Sequence, residues 1–151
     1  MSTIDDLQAF LDTYVPSEAF AHDALAWRVC ELAYAANRHG TYGVGTMLMD
    51  ETGRVVAEGH NRVYVGGYRS DLHAEMVVMN GFEQQHAERQ DLSTYTLLSS
   101  LEPCPMCMTR PHGNSILALG GFETSTGTPM IPDSAATTPG SVPRFSNQLE
   151  G

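Results

Sequence analysis

The sequence predicts an α/β protein, in which helices pack on the faces of a sheet. Helix-like and strand-like segments alternate along the chain in the order α-α-β-β-α-β-α-β. The 151 residues are the usual length of a single domain with one core. A hydrophobic content of 42% and a charged content of 17% are ordinary for a soluble globular protein.

The first two segments are helical. Residues 2–14 can form a short helix with acids in its first turn, and Pro16 interrupts it. Ser17 is the expected N-cap of a longer helix, whose apolar residues recur at helical spacing through about Arg38. Gly40 fits just past the end of this helix.

A hairpin and a third helix follow. Two strand-like runs, 44–49 and 54–60, flank the turn 50–53, which ends in glycine. The next helical pattern covers 71–85, with Asp71 as its expected cap. The hairpin therefore precedes the helix that carries the first motif described below.

The C-terminal third begins with two more strands and ends in a different composition. Strands are predicted over 93–100 and 115–122, with a short helix between them. Residues 125–151 are rich in Ser, Thr, Gly and Pro and have few apolar anchors, as in loosely docked tails. We therefore predict a catalytic domain over 1–124 and a tail over 125–151.

The net charge and the expected compartment limit the classes of function that the protein can have. The net charge is −10, which argues against a long polyanionic partner but not against a small base or nucleoside. No apolar run is long enough to span a bilayer, and the acidic start does not resemble a signal peptide. The three cysteines do not suggest a disulfide framework. A cytoplasmic protein is expected.

Two short motifs carry the chemistry. His73 stands at the start of the third predicted helix, and Cys104 and Cys107 stand where a strand passes into the next helix. Residues three apart share a helix face, and a helix N-terminus favours thiolates, so both cysteines can bind one ion. One nitrogen and two sulfur donors suit tetrahedral zinc and leave a fourth position for water, as in catalytic sites.

Glu75 has a separate role in this interpretation. It lies two residues beyond His73, roughly 200° around a helix, so it is not expected to bind the ion in the same way. A glutamate at this helix start can instead reach the water on the metal and move protons.

Two other interpretations of the motifs stay open at this point. A C-x-x-C pair also occurs in redox proteins, although prolines 103 and 105 frame this pair. A structural zinc site needs a fourth protein ligand. The candidates for that ligand are His112, Cys30, His60 and His86. Cys30 is otherwise expected to be a small core residue.

The two motifs resemble the zinc-dependent cytidine/deoxycytidylate deaminase superfamily. "HAEMVV" and "PCPMC" match its H-x-E and P-C-x-x-C signature, and residues 76–102 are a fitting separation. "EGHN" at 58–61 and "TLLSSLEPCPMC" are similar to the strands that precede each motif in that family. The resemblance covers about 20–122 and implies a three-layer α-β-α sheet, with an atypical or truncated C-terminal part here.

The resemblance also implies roles for individual residues. His73, Cys104 and Cys107 would bind Zn²⁺, and Glu75 would take a proton from the zinc-bound water, which leaves a hydroxide, and pass it to the substrate. Asn61 and the backbone N–H of Ala74 would contact the base. The reaction would be hydrolytic deamination of a small nucleobase or nucleoside in a homo-oligomer, such as a dimer.

The substrate branch is less defined. A histidine as first ligand resembles the cytosine, guanine, deoxycytidylate and tRNA-adenosine deaminases, and the acidic charge disfavours tRNA. A tRNA adenosine deaminase and a catalytically inactive structural-zinc protein are the alternatives. The sequence departs from the family after Arg110, where Pro111 is predicted to end or kink the helix.

Overall fold

The fold is a mixed sheet with helices on both faces. The computed structural model describes residues 4–89, residues 91–110 and the strand 115–118. The order of helices and strands is the predicted one. In chain order the elements are α1 (Ile4–Thr13), α2 (Asp23–Arg38), β1 (Gly45–Met49), β2 (Val55–His60), α3 (Ala74–Gln85), β3 (Thr96–Ser99), α4 (Pro105–Thr109) and β4 (Ser115–Ala118).

The described sheet has four strands in the order β2-β1-β3-β4. β1 pairs antiparallel with both β2 and β3, and β3 pairs parallel with β4. Gly45 lies opposite His60, and Thr46 lies opposite Ser99. The start of β1 and the ends of β2 and β3 therefore lie together at one end of these strands. The two motifs follow in the chain after β2 and β3 reach this end, which we call the motif edge of the sheet.

Alternation along the strands places one helix on each face. Met47, Met49 and Leu98 pack with Val29 and Leu32 of α2. On the other face, Leu48 and Leu97 pack with three buried side chains of α3, those of Val78, Met79 and Phe82. The predicted α/β class with helices on both faces of the sheet is confirmed.

Close packing explains one glycine at the start of β1. A Cβ atom on Gly45 would overlap the carbonyl oxygen of Val29 and lie 2.6 Å from Cβ of Leu32. α2 can therefore cross β1 only because this position has no side chain. This close crossing fixes the distance between β1 and α2, and with it the position of Thr46 relative to that helix.

The predicted helix caps were wrong in two places. α2 begins at Asp23 rather than after Ser17, because the Asp23 carboxylate accepts hydrogen bonds from Tyr14 and from the Ser17 backbone N–H. α3 has His73 as its N-cap, and Asp71 pairs with Arg69 instead. The Asp71 carboxylate is thus taken by a loop partner, whereas the Ser17 hydroxyl accepts a hydrogen bond from the Ala19 backbone N–H, outside α2.

The predicted turns are confirmed. Gly40 follows α2 with φ of +72°, and Gly53 ends the hairpin turn with φ of +81°. The Asp50 carboxylate accepts hydrogen bonds from the backbone N–H groups of Thr52 and Arg54. Such a bond between a side chain and the nearby backbone is the usual reason for aspartate at this position.

The C-terminal predictions are tested only in part. α4 ends at Thr109, before Pro111, as expected for a helix that proline stops. Pro111 itself, the last residues of the 115–122 strand and the 125–151 tail lie outside the described residues. The domain boundary at 124 stays a prediction for the same reason. Within the described part of the chain, none of the helices combines the length and hydropathy needed to cross a membrane.

Candidate active site and metal centre

Three side chains with metal-binding atoms converge at the motif edge of the sheet. His73 is the N-cap of α3, and Cys104 is the N-cap of α4, both with extended backbone. Pro105 occupies the first position of α4, where its fixed φ favours the helix start. Cys107 follows one turn later and is buried. Two helix starts therefore present the donors to one point.

The distances between the donors suit a tetrahedral zinc ion. Nδ1 of His73 lies 3.5 Å from Sγ of Cys104 and 3.6 Å from Sγ of Cys107. The two sulfur atoms are 3.5 Å apart. With Zn–S of about 2.3 Å and Zn–N of about 2.0–2.1 Å, tetrahedral angles require about 3.6 Å between N and S and about 3.8 Å between the sulfurs. Only small shifts separate this arrangement from zinc coordination.

The electrostatics of the site also call for a cation. Burial, followed by the neighbouring Glu75 carboxylate, raises the pKa of the Cys107 thiol above its usual range. A divalent ion reverses the balance, because a coordinating thiol is deprotonated by the charge of the metal itself.

Glu75 lies in the first turn of α3 and is buried, with 4% of its surface exposed. Its Oε1 accepts a hydrogen bond of 3.1 Å from Oγ of Ser99. Its carboxylate is close enough to Cys107 to influence that thiol. A buried carboxylate with one oxygen tied to the sheet, beside a metal-ligand set, can exchange protons with a molecule bound at the metal.

Asn61 is buried directly after β2, and its amide is oriented by two hydrogen bonds. Oδ1 accepts from Oγ1 of Thr41 at 2.6 Å and from the backbone N–H of Val63 at 3.0 Å. A backbone N–H can only donate, so the atom facing it must be the amide oxygen. The amide NH₂ is then the group that remains for a ligand, which would need to offer an acceptor.

Ala74 is fully buried in the first position of α3. The first N–H groups of a helix have no acceptor within the helix, so they are suited to bind a substrate oxygen. The structure thus brings a backbone donor, a carboxylate and three metal-binding atoms to the start of one helix and its neighbour. The individual roles of Glu75, Asn61 and Ala74 stay predictions.

The candidate fourth protein ligands do not join this group within the described chain. Cys30 is exposed, so its predicted place in the core was wrong. His60 stacks on His39, and its Nδ1 faces the Asn61 carbonyl. His86 packs on Phe82. The cluster found among the described residues contains His73, Cys104 and Cys107 alone. His112 lies outside those residues.

Three polar residues near the site were missed by the sequence reasoning. Thr41, Thr46 and Ser99 are all buried. The Thr41 hydroxyl donates a hydrogen bond to Asn61. The Thr46 hydroxyl donates to Ser99, and the Ser99 hydroxyl donates to Glu75. The available signal for Thr46 and Ser99 was a hydroxyl residue in a strand among leucines and methionines. That signal is weak, because Thr and Ser are also common on solvated strand faces.

A groove of about 380 Å³ lies at the opposite end of the sheet, around the hairpin turn and the end of α3. Its walls include Arg54, Phe82, Arg89 and Tyr95. His73, Cys104, Cys107, Asn61 and Ala74 are not among the residues that line it. The groove is therefore separate from the motif edge, where the metal-binding atoms converge.

Fold and site together define a zinc-dependent α/β protein with a buried acid beside the metal centre. The chain belongs to the cytidine and deoxycytidylate deaminase family, since the model of that family's zinc-binding region matches residues 21–111, more than half of the chain. Zinc is the cofactor of this region, and the cluster of one histidine and two cysteines can hold it. The predicted family and cofactor are confirmed.

Solved structures of similar fold include three deaminases. The guanine deaminase of Nitrosomonas europaea has a TM-score of 0.57 at 26% identity, over 76% of this chain and 66% of its own. The guanine deaminase of Bacillus subtilis has a TM-score of 0.58 at 24% identity, over 68% and 66%. A tRNA:A34 deaminase has a TM-score of 0.52 at 24% identity, over 62% and 71%.

The match to these structures is partial. The aligned part spans about two thirds of the length of each guanine deaminase. A search of curated proteins gave no match. The family model therefore shows the family, the solved structures show the fold, and the substrate has to be argued from the site.

Proposed function

We propose that this protein is a zinc-dependent hydrolytic deaminase of a small nucleobase or nucleoside. In the reaction, water adds to the amidine carbon of the ring, and the C–N bond to the exocyclic amine breaks. The carbon keeps the oxygen of the water as a carbonyl, and ammonia leaves. One water is consumed for each ammonia released, and no oxidant or reductant is needed.

The observation that carries the proposal is the position of Glu75 beside the cluster of His73, Cys104 and Cys107. Zinc, when bound, lowers the pKa of a coordinated water so that it becomes a nucleophile near neutral pH. Glu75 is buried next to that cluster, and its Oε1 accepts a hydrogen bond from Ser99. A carboxylate in that place can take a proton from the attacking water and deliver it to the ring nitrogen, and then to the departing amine.

Asn61 and Ala74 would hold the substrate during these transfers. The orientation of the Asn61 amide leaves its NH₂ to donate to a ring nitrogen, a carbonyl or a sugar hydroxyl. The Ala74 N–H, at the start of α3, would donate to a ring oxygen. Both are donors, which suits the acceptor-rich edge of a nucleobase.

A small substrate is supported by two observations. The chain carries a net charge of −10, which disfavours contacts to a series of phosphates. Two of the similar structures are guanine deaminases. We therefore place free bases, guanine and cytosine among them, and their nucleosides first in the substrate search.

The experiment is an ammonia-release assay over cytosine, guanine, adenine, their nucleosides and common analogues, with wild type and Glu75→Gln. The variant should keep about one zinc per chain and lose about 10²–10⁴-fold in kcat, because the proton carrier is gone while the ligands remain. Arg69→Gln, an exposed loop variant, is the control and should match wild type. Full activity of Glu75→Gln would disprove the mechanism.

A tRNA adenosine deaminase is the second candidate, since a tRNA:A34 deaminase shares the fold. It predicts that the protein binds an anticodon stem-loop with an affinity that falls steeply as salt rises. Failure to bind at low salt, together with turnover of a free base or nucleoside, would remove this candidate.

The third candidate function is that of a structural zinc protein without catalytic activity. It requires a fourth protein ligand, and the cluster among the described residues offers three. The variant His112→Ala tests whether His112 is that fourth ligand. Unchanged zinc content and activity in that variant would leave the ion with an open position for water.

We also propose a homodimer in the cytoplasm. Phe10 of α1 and Phe20 of the α1–α2 connection are 59% and 70% exposed, and Ile4 and Leu7 of α1 are partly exposed as well. Exposed apolar side chains of this kind favour burial against another chain. Light scattering after size exclusion should give twice the chain mass, and a monomer at micromolar concentration would contradict the dimer.

A further inference from the structure

Two fully buried hydroxyl groups lie beneath Glu75. Thr46 of β1 and Ser99 of β3 are directly opposite each other in the antiparallel pair, and both have no exposed surface. They share the α3 face of the sheet with Leu48 and Leu97, because side chains alternate along each strand. The two positions next to them on this face are thus apolar.

The hydroxyls form a chain with a fixed direction. Oγ1 of Thr46 donates to Oγ of Ser99 at 3.3 Å, and Oγ of Ser99 donates to Oε1 of Glu75 at 3.1 Å. Each hydroxyl has one proton to give. Since Ser99 gives its proton to the carboxylate, it has to accept from Thr46, and the chain ends on a group that only accepts when ionised.

Packing alone does not require this chain. An apolar side chain in either strand position would fill the core without any buried polar group to satisfy, as Leu48 and Leu97 do. Buried polar networks are favourable only when every member is satisfied, and here the carboxylate of Glu75 completes the network. The network therefore depends on Glu75, and it restrains Glu75 in return.

We propose that Ser99 is a positioning residue for Glu75 and that Thr46 acts through Ser99. The bond to Oε1 anchors one oxygen to the sheet, so that Oε2 is the oxygen presented to the water and the substrate. A hydrogen bond to an ionised acceptor is the stronger kind, and it limits rotation of the carboxylate. This inference rests on the proposed function, in which Glu75 carries the protons.

Kinetics of four variants test the proposal. Ser99→Ala should lower kcat by about 10–100-fold, as expected for a proton carrier displaced by about 1 Å, with KM within about twofold. Thr46→Val removes the second hydroxyl at constant volume and should lower kcat by about 2–10-fold. Thr46→Ser should restore wild-type kcat. The double variant Ser99→Ala/Thr46→Val should be no slower than Ser99→Ala, because Thr46 acts only through Ser99.

Ser100→Ala is the matched control. Its hydroxyl accepts a hydrogen bond of 3.0 Å from the Gly45 backbone N–H, one residue along the chain from Ser99. Loss of this bond should leave kcat within about twofold of wild type. Zinc content and melting temperature are measured for all variants. If Ser99→Ala binds less zinc or melts early, the isosteric Thr46→Val and its rescue by Thr46→Ser decide the question.

A crystal structure of zinc-loaded Ser99→Ala gives a readout that does not depend on turnover. The Glu75 carboxylate should rotate or occupy two orientations, whereas wild type should show one. An unchanged carboxylate, or a loss of kcat in Ser100→Ala equal to that in Ser99→Ala, would overturn the proposal. If wild type releases no ammonia from any compound, the proposed function fails, and the orientation of Glu75 still decides this inference.

Discussion

The two faces of the sheet are built from alternate residues of the same strands, yet their chemistry differs. Under α2, Met47, Met49 and Leu98 meet only apolar partners in the core cluster. Under α3, the apolar cluster gives way at the motif edge to Thr46, Ser99 and Glu75, which are equally buried. Burial is complete on both faces, so the polar groups are not there because water reaches them. One face is therefore wholly apolar in its core cluster, and the motif edge of the other holds a buried polar network beside the metal-binding residues.

The largest expected effect comes from breaking the apolar face. Leu98→Ala should reduce the free energy of unfolding by about 2–5 kcal/mol, because it opens a cavity against α2. The kcat of the folded enzyme should not change, since Leu98 points away from Glu75. Urea denaturation and steady-state kinetics on the same preparation measure both quantities.

Two controls sharpen this test. Leu98→Met keeps the volume and should cost less than about 1.5 kcal/mol. Ser99→Ala, the next residue and on the opposite face, should show the reverse pattern, with kcat lowered and stability nearly kept. A Leu98→Ala enzyme that is stable but slow would contradict the division between the two faces.

The metal-ligand set was predictable because its members are defined by local sequence. His73 and Cys104 each stand at a helix start, and three residues set the distance from Cys104 to Cys107. The element order was predictable too, because glycines and prolines marked the turns. Local rules were sufficient wherever the relevant partners lie within a few residues.

The network beneath Glu75 was not predictable for the converse reason. Thr46 and Ser99 lie far apart in sequence and meet only through the register of β1 against β3, which a single sequence does not specify. The predicted cap of α2 also failed, since the Asp23 carboxylate holds the Ser17 backbone N–H together with the Tyr14 hydroxyl of the preceding segment. The capping propensity of a residue type predicted one role for its side chain, and contacts formed in the folded structure gave it another.

A smaller effect is expected at the residue that orients Asn61. Thr41→Val removes the hydroxyl that donates to Oδ1 of Asn61 and leaves the bond from the Val63 N–H. KM should rise by about 2–10-fold, the value of one hydrogen bond of about 0.5–1.5 kcal/mol, and kcat should stay within about twofold. Thr41→Ser, which keeps the donor, is the control. A fall in kcat at constant KM would instead place Thr41 with the proton-transfer residues.

The smallest effect is expected far from both faces, at the hairpin turn. Hydrogen bonds from the Thr52 side chain and then from the backbone of Arg54 and Thr52 hold the pKa of Asp50 below its ordinary value of 3.8. Because the folded pKa is the lower one, Asp50 stabilises the fold above pH 3.8, and this contribution is lost as the pH falls through the folded pKa.

Asp50→Asn removes the titrating group while keeping a side-chain oxygen for the turn. The difference in unfolding free energy between wild type and variant should therefore be largest at neutral pH and should shrink as the pH is lowered from 5 to about 2. Urea denaturation across that range measures it, and loss of zinc at low pH affects both proteins alike. A difference that stays constant with pH would mean that the turn depends on the shape of Asp50 and not on its charge.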